Sequence, residues 1–198
     1  MEQKKENKET KERYFRTGRK TLTEAQLNKF LSVITDINHL ALFKLAVSTG
    51  LRRGDIVKVR VNGFDYDNKS ITFYEEKKKR IKTVFIPESV ANTIQMVLNA
   101  NPREIYIFHG SSEKCHNKGH ISSKTAYNIF QRYLKKSGLE QRPFHSLRAT
   151  CIKLCQKRGW KPEETAELVG DTLRVIQEHY TIPSDDDMKE VSKNKAII

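Results

Sequence analysis

One stretch of this 198-residue sequence has the composition of a β-hairpin, and it constrains the fold more than any other feature. The β-rich runs 70–74 and 83–86 are separated by a polar, lysine-rich segment. Two such runs around a polar tip predict a pair of antiparallel strands. Apart from a short extended piece at 105–108, the other apolar segments have helical spacing. We therefore predict a mainly α domain with one small antiparallel β-sheet, an α+β fold.

The helical segments have identifiable starts and stops. Thr23 can cap a helix while Gln26 reaches back to it. Gly50 is expected to stop a largely apolar helix that starts near His39. Further helices are predicted through Val59, from Ser122 or Ser123 to Gly138, and over 145–158, 163–169 and 172–180. One hydrophobic core and no internal repeat predict a single domain over residues 21–183.

The net charge of +13 restricts the class of partner. A basic surplus of this kind favours a polyanion, because each neutralised phosphate releases counterions. No apolar run approaches the ~20 residues of a membrane span, and no signal core follows the lysine-rich N-terminus. Three cysteines without a CxxC pair predict reduced thiols in a cytoplasmic protein. Cys151 and Cys155, four apart on an apolar helical face, are expected in the core.

Both ends of the chain differ from the domain between them. Residues 1–20 carry eight Lys or Arg and four Glu, with few apolar residues, which predicts a flexible basic arm. Residues 184–198 form a polar tail that also contains Met188, Val191 and two terminal isoleucines.

Two arginines and a tyrosine form the pattern with the clearest chemical meaning. Arg52 follows a helix stop, and Arg148 lies three residues after His145 on a helical face. Two guanidinium groups can hold both non-bridging oxygens of a phosphodiester and stabilise the charge of its transition state. Tyr180 could then attack the phosphorus while a hairpin lysine protonates the leaving oxygen. This chemistry requires neither metal nor nucleotide.

The order of three short motifs resembles that of the tyrosine recombinase family. Residues 48–55, STGLRRGD, resemble the family's TGLR box with its acidic position, and residues 144–150, FHSLRAT, resemble its H.LR.T box. Residues 168–171, LVGD, followed by the ending EHY at 178–180, are similar to its LGH … Y ending, nine residues apart. The resemblance covers residues 21–183 and implies a tyrosine recombinase catalytic domain.

This resemblance implies a role for each matching residue. Arg52 and Arg148 would clamp the scissile phosphate, Tyr180 would be the nucleophile, and His145 would manage the tyrosine proton. Among the hairpin lysines it points to Lys77 as the acid.

Two further positions follow from the same alignment. Lys78 and Lys79 are alternatives to Lys77, because a one-residue shift of the hairpin exchanges them. Asp55 matches the acidic position of the first box, which implies an orienting role.

Asp171 departs from the family pattern. The family usually has His or Trp there as a hydrogen-bond donor to the phosphate, and an ionised carboxylate cannot donate. We interpret Asp171 as the N-cap of the last helix. His179 or Arg174 would then supply the missing donor.

A polar helix face suggests where DNA would bind. The resemblance places the helix after Ser122 in the major groove, so we expect DNA contacts from Ser123, Lys124, Tyr127 and Asn128. It also implies that residues 184–198 dock on a neighbouring protomer, as a dimer or tetramer on double-stranded DNA.

A histidine- and cysteine-containing loop is the other candidate site. The spacing of His109, Cys115, His116 and His120 matches no common zinc frame, so we predict no metal site and no cofactor.

The resulting hypothesis is a site-specific DNA recombinase or integrase that uses a 3′-phosphotyrosyl intermediate. A virus, a mobile element or a related resolvase system in a prokaryotic or viral host cell would be its setting. The alternatives are a type IB topoisomerase-like relaxing enzyme and a catalytically silent DNA-binding module.

Overall fold

A computed structural model describes residues 21–102, 104–110, 119–180 and 192–193. The predicted arm at 1–20, the tail (apart from residues 192 and 193), Cys115 and His116 lie outside the described residues. The helices are α1 Glu24–Ser32, α2 Ile37–Thr49, α3 Arg53–Ile56, α4 Glu88–Ala100, α5 Ser123–Lys136, α6 His145–Lys157, α7 Pro162–Val169 and α8 Leu173–Tyr180.

One antiparallel sheet in the order β1-β2-β3 accompanies these helices, so the predicted α+β class is confirmed. Its strands are β1 Phe64–Asp65, β2 Ser70–Glu75 and β3 Arg80–Phe85. β1 has two residues and carries no alternating pattern that a sequence could reveal. β3 begins before the predicted start at residue 83, because backbone pairing continues to the hairpin turn whatever the side-chain polarity. The predicted extended piece at 105–108 contributes one isolated bridge, between Tyr106 and Arg60.

Local capping residues set several helix boundaries. Thr23 and Gln26 form the predicted capping box at the start of α1. Asp36 accepts the Asn38 and His39 N–H groups, so α2 starts earlier than predicted. Gly50 ends α2 with φ 62°, in the left-handed region that glycine tolerates. The short helix α3 ends at residue 56 and does not reach the predicted residue 59.

A cluster of phenylalanine rings holds α1, α2 and α5 together. The Phe30 ring meets Phe43 edge-on with centroids 5.1 Å apart, and meets Phe130 at 5.3 Å. Phe144, just before α6, packs on Phe130 at 5.6 Å. Aromatic pairs of this geometry contribute beyond their burial. The end of α2 is thereby fixed beside the start of α6.

A smaller apolar cluster joins α6, α7 and α8. Cys151, Ile152, Val169 and Ile176 are its buried members, and Cys155 packs with them as predicted. This cluster brings the turn between α7 and α8 next to the end of α2. Among the described residues, we find no helix that combines the length and apolarity needed to cross a bilayer.

Candidate active site

Arg52 and Arg148 meet at one carboxylate. Asp171 Oδ1 accepts from Arg52 Nη2 at 3.1 Å, and its Oδ2 accepts from Arg148 Nη2 at 2.5 Å. The tertiary structure thus brings together two arginines that lie far apart in the sequence. We call Arg52 and Arg148 the arginine clamp.

Helix ends hold each clamp arginine. Arg52 is the residue that precedes α3. Arg148 is only 2% exposed, and its Nη1 donates to the backbone oxygens of Gly50 at 2.7 Å and Val169 at 2.5 Å. These carbonyls lie at the C-terminal ends of α2 and α7, where the helix dipole is negative. The buried guanidinium of Arg148 is therefore paired with acceptors at two helix ends and with Asp171.

Glu75 is a site residue that the sequence motifs did not indicate. Its Oε1 accepts from Arg52 Nη1 at 2.7 Å and its Oε2 from Arg80 Nε at 3.1 Å. Burial alone would raise the pKa of Glu75, but the hydrogen bonds from Arg80 and Arg52 lower it below its usual value. The alternation of side chains along β2 could have indicated this position, because Glu75 follows Ile71 and Phe73 on the buried face of the strand.

Lys82 is a second site residue that the motifs missed. Its buried ammonium group donates to the backbone oxygens of Glu167 and Leu168 at the end of α7. Burial lowers the pKa of Lys82, against the opposing charges of Glu167 and Glu75. Lys82 therefore ties β3 to the residues just before Asp171.

The interpretation of Asp171 as a helix cap is wrong. Thr172 Oγ1 accepts the N–H of Val175 at 3.3 Å, the bond expected of an N-cap. The Asp171 carboxylate instead binds two guanidinium groups, because each of these bonds joins two ionised partners, whereas a cap bond would have only one. A cap was locally possible, and the arginines supplied by α6 and the end of α2 outcompeted it.

Gly170 leaves room for the Glu75 carboxylate. It adopts φ 71°, and a Cβ atom there would lie 2.6 Å from Glu75 Oε1. A side chain at this position would displace Glu75 from Arg52. The glycine of the LVGD motif is thus required by backbone conformation and by space.

His145 is the first residue of α6 and interacts electrostatically with the clamp. It is exposed overall, yet desolvation by the surrounding protein lowers its pKa, and Arg148 lowers it further while Asp171 opposes the shift. A histidine with a pKa below 6.5 is mostly neutral at pH 7 and can accept a proton.

Tyr180 is the last residue of α8. The side chains of residues 178–180 lie outside the described residues, so the placement of the Tyr180 hydroxyl and of His179 stays a prediction. Arg174, the other suggested donor, is exposed on α8.

The predicted lysines occupy the turn between β2 and β3. Lys77, Lys78 and Lys79 are all exposed there. The charge of Lys78 contributes to lowering the pKa of Glu75, which places it within electrostatic range of the clamp.

Asp55 is buried in α3 and supports the same turn. Its Oδ1 accepts the backbone N–H of Glu76 at 3.4 Å, and burial raises its pKa. Asp55 thus links the helix that follows Arg52 to the base of the hairpin.

The predicted DNA-contacting residues lie in the first turns of α5, near α3. Ser123 and Tyr127 are half-buried, and Lys124 and Asn128 are exposed. The Arg53 guanidinium lies 5.7 Å from the centre of the Tyr127 ring, and Lys124 Nζ lies 5.3 Å from it. Two cations therefore converge on one aromatic ring beside the clamp, and Arg53 extends the predicted set.

Comparison with known proteins gives the family of this chain. The model of the phage integrase family matches residues 20–185. The chain belongs to this family. The match spans the arginine clamp, the hairpin and the end of α8. Tyrosine recombinase XerA from Pyrococcus furiosus is 26% identical over 174 residues, which cover 86% of this chain and 60% of that protein.

Solved structures share the fold of this phage integrase family member. A crystal structure of XerA recombinase matches with a TM-score of 0.77 at 16% identity, over 87% of this chain and 64% of that one. The Tn1549 transposon integrase, solved in complex with a circular intermediate DNA, matches with a TM-score of 0.69 at 18% identity, over 87% and 65%. The chain spans 54–62% of the length of three of its curated XerA relatives.

The described part of this integrase-family domain contains no cluster of metal-ligating side chains. No group of three or more His, Cys, Asp or Glu is arranged to hold an ion there. His120 Nδ1 instead lies 2.8 Å from the backbone oxygen of Ile121.

Proposed function

We propose that this chain contains the catalytic domain of a site-specific DNA recombinase or integrase that cuts and rejoins DNA through a 3′-phosphotyrosyl intermediate. One observation carries the proposal, namely the convergence of Arg52 and Arg148 on the two oxygens of a single anionic group. The two non-bridging oxygens of a phosphodiester present the same pattern to two guanidinium groups.

In the proposed reaction the scissile phosphate takes the place of Asp171 on the clamp. The Tyr180 oxygen forms a bond to phosphorus, and the bond from phosphorus to the 5′ oxygen breaks. The tyrosine proton passes to the neutral ring of His145. The two arginines stabilise the additional negative charge of the pentacoordinate transition state.

A lysine of the hairpin turn would donate the proton that the leaving 5′ oxygen needs. The family resemblance favours Lys77, while the electrostatic influence on Glu75 favours Lys78. Asp55 would hold the base of this turn through Glu76. The attacking 5′ hydroxyl of a second strand then reverses these steps and releases Tyr180. No step requires a metal ion or a nucleotide.

Double-stranded DNA is the proposed partner. The basic surplus of the chain and the paired cations over Tyr127 support backbone contacts, with Ser123, Lys124 and Asn128 beside them. The Tn1549 transposon integrase, which shares this fold, was solved in complex with a circular intermediate DNA. We propose assembly on DNA through residues 184–198, in the cytoplasm of a prokaryotic or viral host cell.

A catalytically silent DNA-binding module is the second candidate. Asp171 favours it, because its carboxylate occupies the clamp donors that the phosphate requires. A type IB topoisomerase-like activity shares the cleavage chemistry, and recombined product from paired sites would separate it from a recombinase.

Trapping of the covalent intermediate tests the proposed function. The full chain is incubated in EDTA with nicked duplexes of randomised central sequence, and protein–DNA adducts that resist SDS are isolated and sequenced. We expect an adduct that Tyr180→Phe abolishes and that Tyr74→Phe, on an exposed position of β2, retains. An adduct with Tyr180→Phe would refute the nucleophile assignment, and duplex binding without any adduct would support the silent module.

A further inference from the structure

We propose that Asp171 is a specificity-determining residue of the arginine clamp. Its carboxylate occupies the position of the two non-bridging phosphate oxygens and excludes small oxyanions, so the clamp accepts only a phosphate that a bound duplex presents. The inference has two parts. The exclusion of small oxyanions, which we call the anion step, rests on the geometry of the clamp. The acceptance of a phosphate within a bound duplex, which we call the duplex step, rests on the proposed function.

The hydrogen bonds of the clamp identify Asp171 as the exchangeable group. Arg148 Nη1 is bound by the carbonyls of Gly50 and Val169, and Arg52 Nη1 is bound by Glu75. The Nη2 atoms of both arginines donate to Asp171, and Arg52 Nη2 also donates to the backbone oxygen of Gly170 at 3.2 Å. A phosphate can gain one contact to each arginine by replacing this single carboxylate.

Burial separates the roles of the two carboxylates. The Glu75 side chain is 3% exposed and is held by Arg80 within the hairpin, whereas the Asp171 side chain is 17% exposed. Asp171 lies between the left-handed Gly170 and the first turn of α8, and its backbone N–H bonds to Ala166. A change of side-chain torsion can therefore move the Asp171 carboxylate into solvent without moving the backbone. Glu75 has no comparable exit.

Competition with a tethered carboxylate discriminates between free and presented phosphates. A group tethered beside its site competes at an effective concentration on the order of millimolar or more. A free oxyanion must exceed that concentration, and it cannot share the clamp with Asp171 because the two negative charges repel. A phosphate of a duplex that is held by other contacts is itself tethered beside the clamp. Replacement of Asp171 by this phosphate then exchanges one tethered anion for another. The net charge of the clamp stays the same, since one anion leaves as another arrives.

Asp171→Asn removes the charge at nearly constant shape and tests the anion step. Glu167→Gln is the matched control, because it deletes one negative charge close to Arg80 and Lys82 on a side chain that is 74% exposed and does not contact the clamp. Binding of inorganic phosphate and of orthovanadate is measured by titration calorimetry at constant ionic strength. Thermal unfolding with about 10 mM phosphate gives a second reading, since a ligand raises the stability of the state that it binds.

We expect Asp171→Asn to bind phosphate at least about tenfold more tightly than the wild-type chain and Glu167→Gln, as removal of a tethered competitor requires. Equal affinities for all three proteins would overturn the inference. If Asp171→Asn does not fold, Asp171→His takes its place, and the same comparison decides.

The rate of adduct formation on the nicked duplex tests the second step. We expect Asp171→Asn and Asp171→His to react at a rate equal to or higher than the wild-type rate. A loss of tenfold or more with intact folding would mean that Asp171 acts in the reaction itself, and would overturn the inference. Tighter phosphate binding without an adduct from any protein would refute the proposed function and leave the anion step standing. An adduct from the wild-type chain together with equal phosphate affinities would support the proposed function and refute the anion step.

Discussion

Arg148 donates to the backbone oxygen of Gly50 at 2.7 Å, so one buried guanidinium joins the end of α2 to the middle of the site. The same nitrogen binds Val169 at the end of α7, and the other terminal nitrogen binds Asp171. The residue proposed to hold the phosphate is therefore also a structural junction between two helix ends.

Replacement of Arg148 is expected to reduce both stability and reactivity. Arg148→Ala leaves two carbonyls and a carboxylate without their buried cation, which should cost about 3–5 kcal/mol of unfolding free energy. Adduct formation should fall by roughly 10²–10³-fold, the usual cost of removing one charge-stabilising donor. Urea unfolding and single-turnover trapping measure the two effects. Arg158→Ala, exposed and 3.8 Å from Glu24, is the control and should cost less than about 1 kcal/mol.

The lowered pKa of His145 predicts how the rate of adduct formation falls at acidic pH. If the neutral ring accepts the tyrosine proton, the adduct rate should decline at low pH with a midpoint below pH 6.5. His145→Gln should lower the plateau and remove this decline. Single-turnover rates between about pH 5 and about pH 8 measure it, and a decline centred above pH 6.5 would contradict the assignment.

The same shift sets the sign of the effect of His145 on stability. The unfolded chain takes up a proton near pH 6.5 before the folded protein does. The unfolding free energy should therefore decrease as the pH falls through 6.5, and the decrease should be shallower in His145→Gln. Urea titrations at several pH values check the difference, with Glu167→Gln as an exposed control.

Arg53 and Lys124 are expected to contact DNA phosphates. Arg53→Gln and Lys124→Gln should each reduce the slope of log affinity against log salt by about one. Fluorescence anisotropy between about 50 and about 200 mM salt measures the slope. Glu104→Gln, at an exposed position outside α3 and α5, is a charge-changing control. Unchanged slopes in both variants would place the DNA elsewhere.

Tyr127 should link these two cations. Tyr127→Phe retains the ring and should bind DNA with an affinity close to that of the wild-type chain, whereas Tyr127→Leu should lose about 0.5–1 kcal/mol per exposed cation–π contact. The same anisotropy assay distinguishes the two substitutions. Equal losses in both would indicate that the phenol hydroxyl makes the contact.

A sulfur leaving group should identify the lysine that acts as the acid. Lys77→Ala should slow cleavage of an ordinary duplex by roughly 10²–10⁴-fold, the usual contribution of a general acid. A duplex with sulfur in place of the bridging 5′ oxygen should restore the rate, because a thiolate leaves without protonation. Lys78→Ala and Lys79→Ala are the controls. If the sulfur-containing duplex restores the rate of one of these variants and not that of Lys77→Ala, that lysine is the acid.

Many of the helix boundaries could be predicted from local residues. Thr23 with Gln26, and the glycines at 50 and 170, act within one turn of their own helices, so their effect is visible in a short window of sequence. The hairpin was likewise predictable from its two β-rich runs. The start of α2 was missed because Asp36 caps the helix at Ile37, two residues before the predicted start at His39.

The candidate site was predictable only in part. The motifs indicated Arg52, Arg148 and Asp171, and the structure brings all three into contact. Glu75 and Lys82 were missed because charged residues next to a lysine-rich turn are usually exposed. Strand alternation places both side chains on the inward face of the hairpin. Their partners there, Arg52 and the backbone at the end of α7, come from distant parts of the chain that no local pattern specifies.

The amino-acid sequence by itself determined the fold class, the caps and the order of the motifs, since these depend on neighbours within a few residues. Only the tertiary structure decided what the charged side chains bind. Within its own segment, Asp171 could bind only a backbone N–H or water. The packing of α6 and α7 against the end of α2 supplies two guanidinium groups as further partners. The guanidinium contacts prevailed because both partners are ionised, which adds an attraction that a neutral N–H or solvent does not supply.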